Sequence, residues 1–384
     1  MNSIFSAPAQ IFTGKGALTA AKDSIKKAGE RALIITDPTL VRVGSVGRIT
    51  AFLDEIGIQY AVFDGVTGEP TDQIVAAGKK TYLENHCDFL IAVGGGSSID
   101  TMKAVGSLIT NHGEITDFLG KTIPNPLPPT FAVPTTAGTG SEATQFTVIT
   151  DTKRDIKMLL QGSHLIPSVA VVDFSFTQTS PPRVTASTGL DALCHAVEAY
   201  TSRKAQPLSD LFARDAVKKI FSSLPYAFAD GSDKKAREIM SLAALEAGIA
   251  FNNSSVTIIH GMSRPIGALF HVPHGLSNAM LLPKCLAFAL PGAEDRFADL
   301  SHAIGACGVG FSGSEAGKAF LRKTEELCQT LQVQTPAQFG IDRQQFFSNI
   351  GKMTEDALAS GSPANTRRQP SAEDISQIYQ SLWS

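Results

Sequence analysis

Phe89–Asp100, FLIAVGGGSSID, runs from an unbroken apolar stretch through three glycines into the start of a helical pattern. A strand that is apolar at every position is buried on both faces, as in a parallel sheet covered on each side by helices. Glycines at the end of such a strand let backbone N–H groups approach a phosphate. The helix N-terminus that follows adds partial positive charge. The spacing is not the GxGxxG of the common dinucleotide fingerprint, and a plain strand-to-helix turn would also use these glycines.

The same alternation extends outward from this segment. Short apolar runs occur at Ala32–Thr36, Tyr60–Phe63, Phe131–Val133 and Val169–Val172, and Thr71–Asn85 and Ser98–Thr110 carry helical spacing between them. Strand and helix in alternation predict an N-terminal α/β domain with a parallel sheet. Thr147–Lys157 (TVITDTKRDIK) breaks the pattern and reads as an excursion or hairpin. After Asp173–Pro182 the strand-like runs nearly vanish. Amphipathic stretches take over at Gly189–Thr201, Leu208–Phe221, Lys234–Asn252, Glu294–Ile304 and Gly313–Thr330. The expected organisation is an α/β domain over 1–182 and an all-α domain over 183–384, with a loop at Ala359–Pro370 before a last helix.

Composition excludes several classes of function. The 384 residues are 43% hydrophobic and 18% charged, with a formal net charge of −3, so there is a core for two domains and no basic footprint for nucleic acid. The N-terminus, MNSIFSAPAQIF, lacks the charge and apolar run of a secretory signal, and the expected compartment is the cytoplasm. The most apolar stretch, Pro265–Pro283, contains His271, Pro273, His274 and Asn278 and does not read as a membrane span. The five cysteines have no CxxC spacing, which argues against both a disulfide framework and a thiolate metal site.

Three further segments carry candidate chemistry. Pro134–Thr144, PTTAGTGSEAT, follows a strand and is rich in hydroxyls and small side chains, suiting either a ligand-binding loop or a polar surface loop. Asp37 closes the first predicted strand. A carboxylate there can accept ribose hydroxyls, and beside Pro38 it can equally form a turn. In the second half, Asp191 and His195 stand at i and i+4 in STGLDALCHAVEAY, and His260, His271 and His274 follow in IIHGMSRPIGALFHVPHGLSNAM. One carboxylate with two or three imidazoles suits Fe(II) or Zn(II) and leaves a coordination position open for a substrate oxygen. The i,i+4 pair by itself also suits an ordinary helix ion pair.

Taken in order, GGGSSID, PTTAGTGSEAT, GLDALCHAVEAY and HGMSRPIGALFHVPHGLSNAMLLP resemble the iron-containing (group III) alcohol dehydrogenase family. The resemblance implies a dehydroquinate-synthase-like fold, with an NAD-binding α/β domain and a helical metal-binding domain. It implies a metal-dependent oxidoreductase that passes a hydride between a small alcohol, or its aldehyde or ketone, and NAD. By motif, Asp191, His195, His260 and His274 match the metal ligands, with Fe(II) placed ahead of Zn(II). Gly95, Gly96 and Ser97 match the pyrophosphate loop, which Asp100 and Lys103 support. Thr135, Thr136 and Thr139 match contacts to the nicotinamide half, Lys157 a lysine near the ribose, and Asp37 the carboxylate that selects NAD over NADP. A homo-oligomer, at least a dimer, is also implied. The alternatives are a lyase of the dehydroquinate synthase type or a non-catalytic nucleotide-binding relative.

The sequence departs from the family pattern at three places. Ser98 stands where proline is common, Glu69–Pro70 where Asn-Pro is common, and Arg264 where many members have a second histidine. Arginine stays protonated and cannot relay a proton. His271, three residues before His274, is the candidate for that role, and it equally suits a loop histidine packed against Phe270 or Pro273.

Overall fold

The computed structural model describes residues 3–308 and 310–383. These form two compact units. One spans Ser6–Ser180; the other begins at Pro181 and also takes in the N-terminal stretch ending at Phe5.

The first unit is built on a six-stranded sheet. Its strands are β1 (Gln10–Thr13), β2 (Arg31–Ile35), β3 (Gln59–Phe63), β4 (Phe89–Gly94), β5 (Thr130–Pro134) and β8 (Val169–Val172), in the order β1-β8-β5-β4-β2-β3. Every pairing in the sheet is parallel, with Ile34 opposite Ile91, Ile91 opposite Phe131, and Phe131 opposite Val169. Side chains alternate between faces along each strand. Ile34, Ile91, Val93 and Phe131 therefore join one apolar cluster, while Leu33, Ile35, Leu90 and Ala92 join the other. This two-sided burial is why β4 and β8 carry no polar residue and why β2 and β5 carry one only at their first position.

Chain order reverses between β2 and β4, because β2 continues outward to β3 while β4 and β5 lie on the other side. Ligands of open α/β sheets bind at the carboxyl ends of strands flanking such a reversal. Asp37 follows β2 there, and Gly95 and Gly96 follow β4.

The stretch read as an excursion or hairpin is a hairpin. β6 (Phe146–Asp151) and β7 (Ile156–Gln161) pair antiparallel, away from the main sheet. β1 has no counterpart in the sequence reading. It is a four-residue edge strand whose side chains are mostly exposed, so it lacks an apolar signature.

Among its described residues the second unit contains helices and connecting loops and no strand, apart from an isolated bridge between Ser202 and Thr366. The stretch expected to start at Gly189 begins at Pro182, where proline at the first helical position is pre-set for the turn. The stretch expected to end at Phe221 runs through Pro225 to Ala229. Arg343–Ala359 is a helix that the sequence reading left unassigned, and a final helix, Ala372–Ser381, follows the expected loop. No described helix is long and apolar enough to cross a membrane. The apolar stretch around His271 instead forms two helices, Ile258–Phe270 and His274–Ala289, separated at His271–Pro273.

Candidate active site

Three helices build a cluster of ligand atoms in the second unit. Helix α2 (Pro182–Thr201) follows α1 (Gly96–Thr110) of the first unit in chain order and carries Asp191 and His195. Helix α3 (Ile258–Phe270) carries His260, and α4 (His274–Ala289) opens with His274. Gly275 allows the start of α4 to lie against α2. A Cβ there would stand 2.5 Å from the Ser187 carbonyl oxygen and 3.4 Å from Asp191 Cβ.

Asp191, His195, His260 and His274 each offer one ligand atom, and these atoms lie within 4.8 Å of one another. Ligands about 2.0–2.2 Å from a bound ion stand roughly 3–4 Å apart, so the set is close to coordination size. Asp191, His195 and His260 are buried, while the His274 side chain is 45% exposed, which gives the cluster one open side.

The donors fit a divalent cation on two observations. The Asn278 amide nitrogen lies 2.7 Å from Asp191 Oδ1, 3.1 Å from His260 Nε2 and 3.2 Å from His274 Nε2, so three potential ligand atoms converge on one amide. His195 Nδ1 is buried without a hydrogen-bond partner among the described residues. Electrostatics points the same way. Burial pushes His195 down to about 3, which keeps its ring neutral and one ring nitrogen's lone pair free. Burial disfavours the charged form of His260 too, but the Glu198 and Asp191 carboxylates outweigh it and raise that ring to about 9. Burial would raise Asp191 as well, yet the three histidines hold it well below the usual carboxylate range. The pocket favours positive charge, whether a proton or a metal ion.

In the first unit the two small-residue loops pack together. Helix α1 starts directly after β4 with Gly95 as its N-cap, and no side chain caps it, so its first N–H groups remain available to an anion. A Cβ on Gly95 would stand 3.3 Å from Thr136 Oγ1, and one on Gly96 3.0 Å from Thr139 Cγ2. Thr135 N donates to the Gly94 carbonyl at 3.0 Å. Gly95, Gly96 and Ser97 are thus brought beside Thr135, Thr136 and Thr139.

Asp100 and Lys103 on α1 tie the second loop down. Asp100 accepts from Ser141 Oγ at 2.6 Å and Val148 N at 2.9 Å. The fully buried Lys103 ammonium donates to Ser141 Oγ, to both oxygens of Thr144 and to the Phe146 carbonyl, at 2.8–3.1 Å. Burial pushes this lysine down to about 8.

Asp37 forms the turn that Pro38 suggested. Its Oδ1 accepts from Thr39 N at 2.8 Å and Leu40 N at 3.0 Å, capping the short helix Pro38–Arg42. Lys157, on β7, makes no hydrogen bond to either loop. Its ammonium pairs with Glu69 Oε1 at 2.7 Å. The carboxylate that departs from the family pattern has engaged the lysine that matches it.

Comparison with known proteins covers nearly the whole chain. Residues 8–174 match the family described as iron-containing alcohol dehydrogenase, and residues 185–383 match its C-terminal region. The chain belongs to the iron-containing alcohol dehydrogenase family. It is 36% identical to a 1,3-propanediol dehydrogenase of Citrobacter freundii, over 96% of this chain and 95% of that protein. It is 34% identical to an NAD-dependent methanol dehydrogenase of Bacillus methanolicus, over 98% and 99% respectively. A crystal structure of a 1,3-propanediol oxidoreductase superposes with a TM-score of 0.96 at 34% identity, covering 100% of both chains. As an iron-containing alcohol dehydrogenase this protein is an oxidoreductase. The lyase alternative gains no support from these relatives.

Two residues of this alcohol dehydrogenase escaped the sequence reading. Glu198 lies seven residues after Asp191 and three after His195, on the same face of α2, and its carboxylate holds His260 Nδ1. Asn278 lies four residues after His274 on α4. Helical spacing from a candidate ligand was the available signal for both. His271 is the C-cap of α3, exposed and left-handed at φ 54°, and is not one of the four clustered residues. Arg264, one turn after His260 on α3, is half-buried, and no carboxylate lies within ion-pairing distance of it among the described residues.

Proposed function

We propose that this chain oxidises a small alcohol, or reduces the matching aldehyde or ketone, with NAD as cofactor and one divalent ion held by Asp191, His195, His260 and His274. The observation that carries this reading is the convergence of those four side chains into one buried, cation-favouring cluster with an open side. Bound there, the ion supplies Lewis-acid polarisation of the alcohol oxygen and NAD supplies the hydride acceptor. The chain's own residues bind, orient and neutralise. Asp191 contributes the negative charge that retains a cation, and the buried neutral ring of His195 contributes a lone pair. The partial exposure of the His274 side chain supports a substrate oxygen reaching the cluster from that side. Fe(II) is preferred to Zn(II), because relatives of the family are described as iron-containing.

In the same reading Gly95, Gly96 and Ser97 bind the pyrophosphate through the uncapped N-terminus of α1, and Thr135, Thr136 and Thr139 line the nicotinamide half. Asp37 and Lys157 flank the ribose, with Lys157 partly neutralised by Glu69. A screen of short alcohols that follows NADH formation tests the function. A lyase would give no net NADH.

His271 is assigned the relay of the alcohol proton to solvent, supported by its exposure and by the arginine at position 264. Alanine at a left-handed position is strained, so asparagine is the better replacement. His271→Asn is expected to lower kcat and flatten the acidic limb of its pH profile, with metal content unchanged. An unaltered kcat and profile contradict the relay.

The chain is further inferred to form at least a homodimer and to reside in the cytoplasm, where its unpaired cysteines would remain reduced. Light scattering at micromolar concentration is expected to give a multiple of the chain mass. A monomer contradicts this.

A further inference from the structure

Helix α3 begins without a cap of its own. Its N-cap residue, Thr257, makes no side-chain cap hydrogen bond, although the first N–H groups of a buried helix need acceptors. Glu198, reaching across from α2, supplies one. Its Oε1 accepts from Thr257 N at 3.0 Å, Thr257 Oγ1 at 2.7 Å, Ile259 N at 2.7 Å and His260 N at 3.4 Å. Its Oε2 holds His260 Nδ1. The carboxylate is 1% exposed, and among the described residues its hydrogen-bond partners all lie at the start of α3.

An imidazole has two nitrogens, and the hydrogen bond at one decides what the other presents. A carboxylate accepts only, so Nδ1 must carry the proton it receives. Nε2, which lies 3.6 Å from Asp191 Oδ1, is then the nitrogen facing the cluster, and its lone pair is the one a cation takes in place of a proton. One side chain thereby sets both where His260 sits and which nitrogen it offers.

We propose that Glu198 is a positioning residue of the metal centre, one oxygen fixing the start of α3 and the other fixing the His260 tautomer so that Nε2 is the ligand atom. This rests on the proposed metal function. Glu198→Gln separates the two tasks. The glutamine carbonyl can still accept from the N–H groups of α3, but its amide is a donor toward Nδ1. The ring is then driven to carry its proton on Nε2, pointing into the cluster.

The test uses Zn(II) as a diamagnetic probe on the full chain. Chelator competition is expected to show about 10–100-fold weaker Zn(II) binding in Glu198→Gln, the range found when outer partners of ligating histidines are removed. Thermal unfolding of the metal-free variant is expected to stay close to that of the unsubstituted protein. Imidazole nitrogen NMR of the unsubstituted, Zn(II)-loaded protein is expected to show His260 protonated at Nδ1 and ligated through Nε2. Ligation through Nδ1 overturns the proposal even if the variant fails to fold. Equal Zn(II) affinity in the folded variant also overturns it. If the unsubstituted protein binds no divalent ion, the metal function itself fails, which is a distinguishable result.

Discussion

His260→Ala is expected to lose the divalent ion and with it all measurable turnover, while NAD still binds. His260 offers one of four converging ligand atoms, and its ring bridges Asp191 on one side and Glu198 on the other. Removing an outer partner of a ligating histidine commonly costs 10–100-fold in affinity, so removing the ligand should cost more than about 100-fold. Truncation also leaves the buried Glu198 Oε2 without its ring, at a cost of about 1–3 kcal/mol. Some loss of thermal stability is therefore expected alongside the loss of metal. The proposed NAD-binding residues belong to the unit spanning Ser6–Ser180, and the substitution lies outside it. Metal content by elemental analysis and NAD affinity by fluorescence titration separate the two effects. A variant that retains stoichiometric metal contradicts the assignment of His260.

Asp37→Gly is expected to narrow or reverse a preference for NAD over NADP. In the protein Asp37 Oδ1 is committed to capping Pro38–Arg42, and the other carboxylate oxygen remains to accept a ribose hydroxyl. A 2′-phosphate would meet like charge there and lose that hydrogen bond. Hydrogen bonds to a charged group contribute about 1.5–3 kcal/mol, so the ratio of kcat/KM for the two cofactors should move by roughly 10–100-fold. Glycine is the informative replacement, since at an N-cap it costs only a few tenths of a kcal/mol relative to aspartate. Equal kcat/KM for NAD and NADP in the unsubstituted enzyme contradicts this account of Asp37.

What the sequence revealed follows from how local each signal is. FLIAV could be read as a buried strand because two apolar faces leave no polar position, and Asp191 and His195 share a helix face at fixed spacing. β1 was invisible because QIFT at a sheet edge buries little. The pairing of Glu69 with Lys157 joins residues 88 positions apart, and only the hairpin's placement brings them together. The roles of Glu198 and Asn278 depend on partners carried by other helices, so their spacing could nominate them without saying what they hold. His271 read as a loop or relay residue. Its left-handed backbone, which closes α3, has no signature in the residue itself.

The most direct test of metal-dependent hydride transfer to NAD is NADH formation from a simple alcohol by chelator-stripped enzyme, before and after anaerobic addition of Fe(II). The expected result is no NADH from the stripped enzyme and recovery in proportion to bound iron, saturating at one ion per chain. Full NADH formation by rigorously metal-free enzyme would contradict the account.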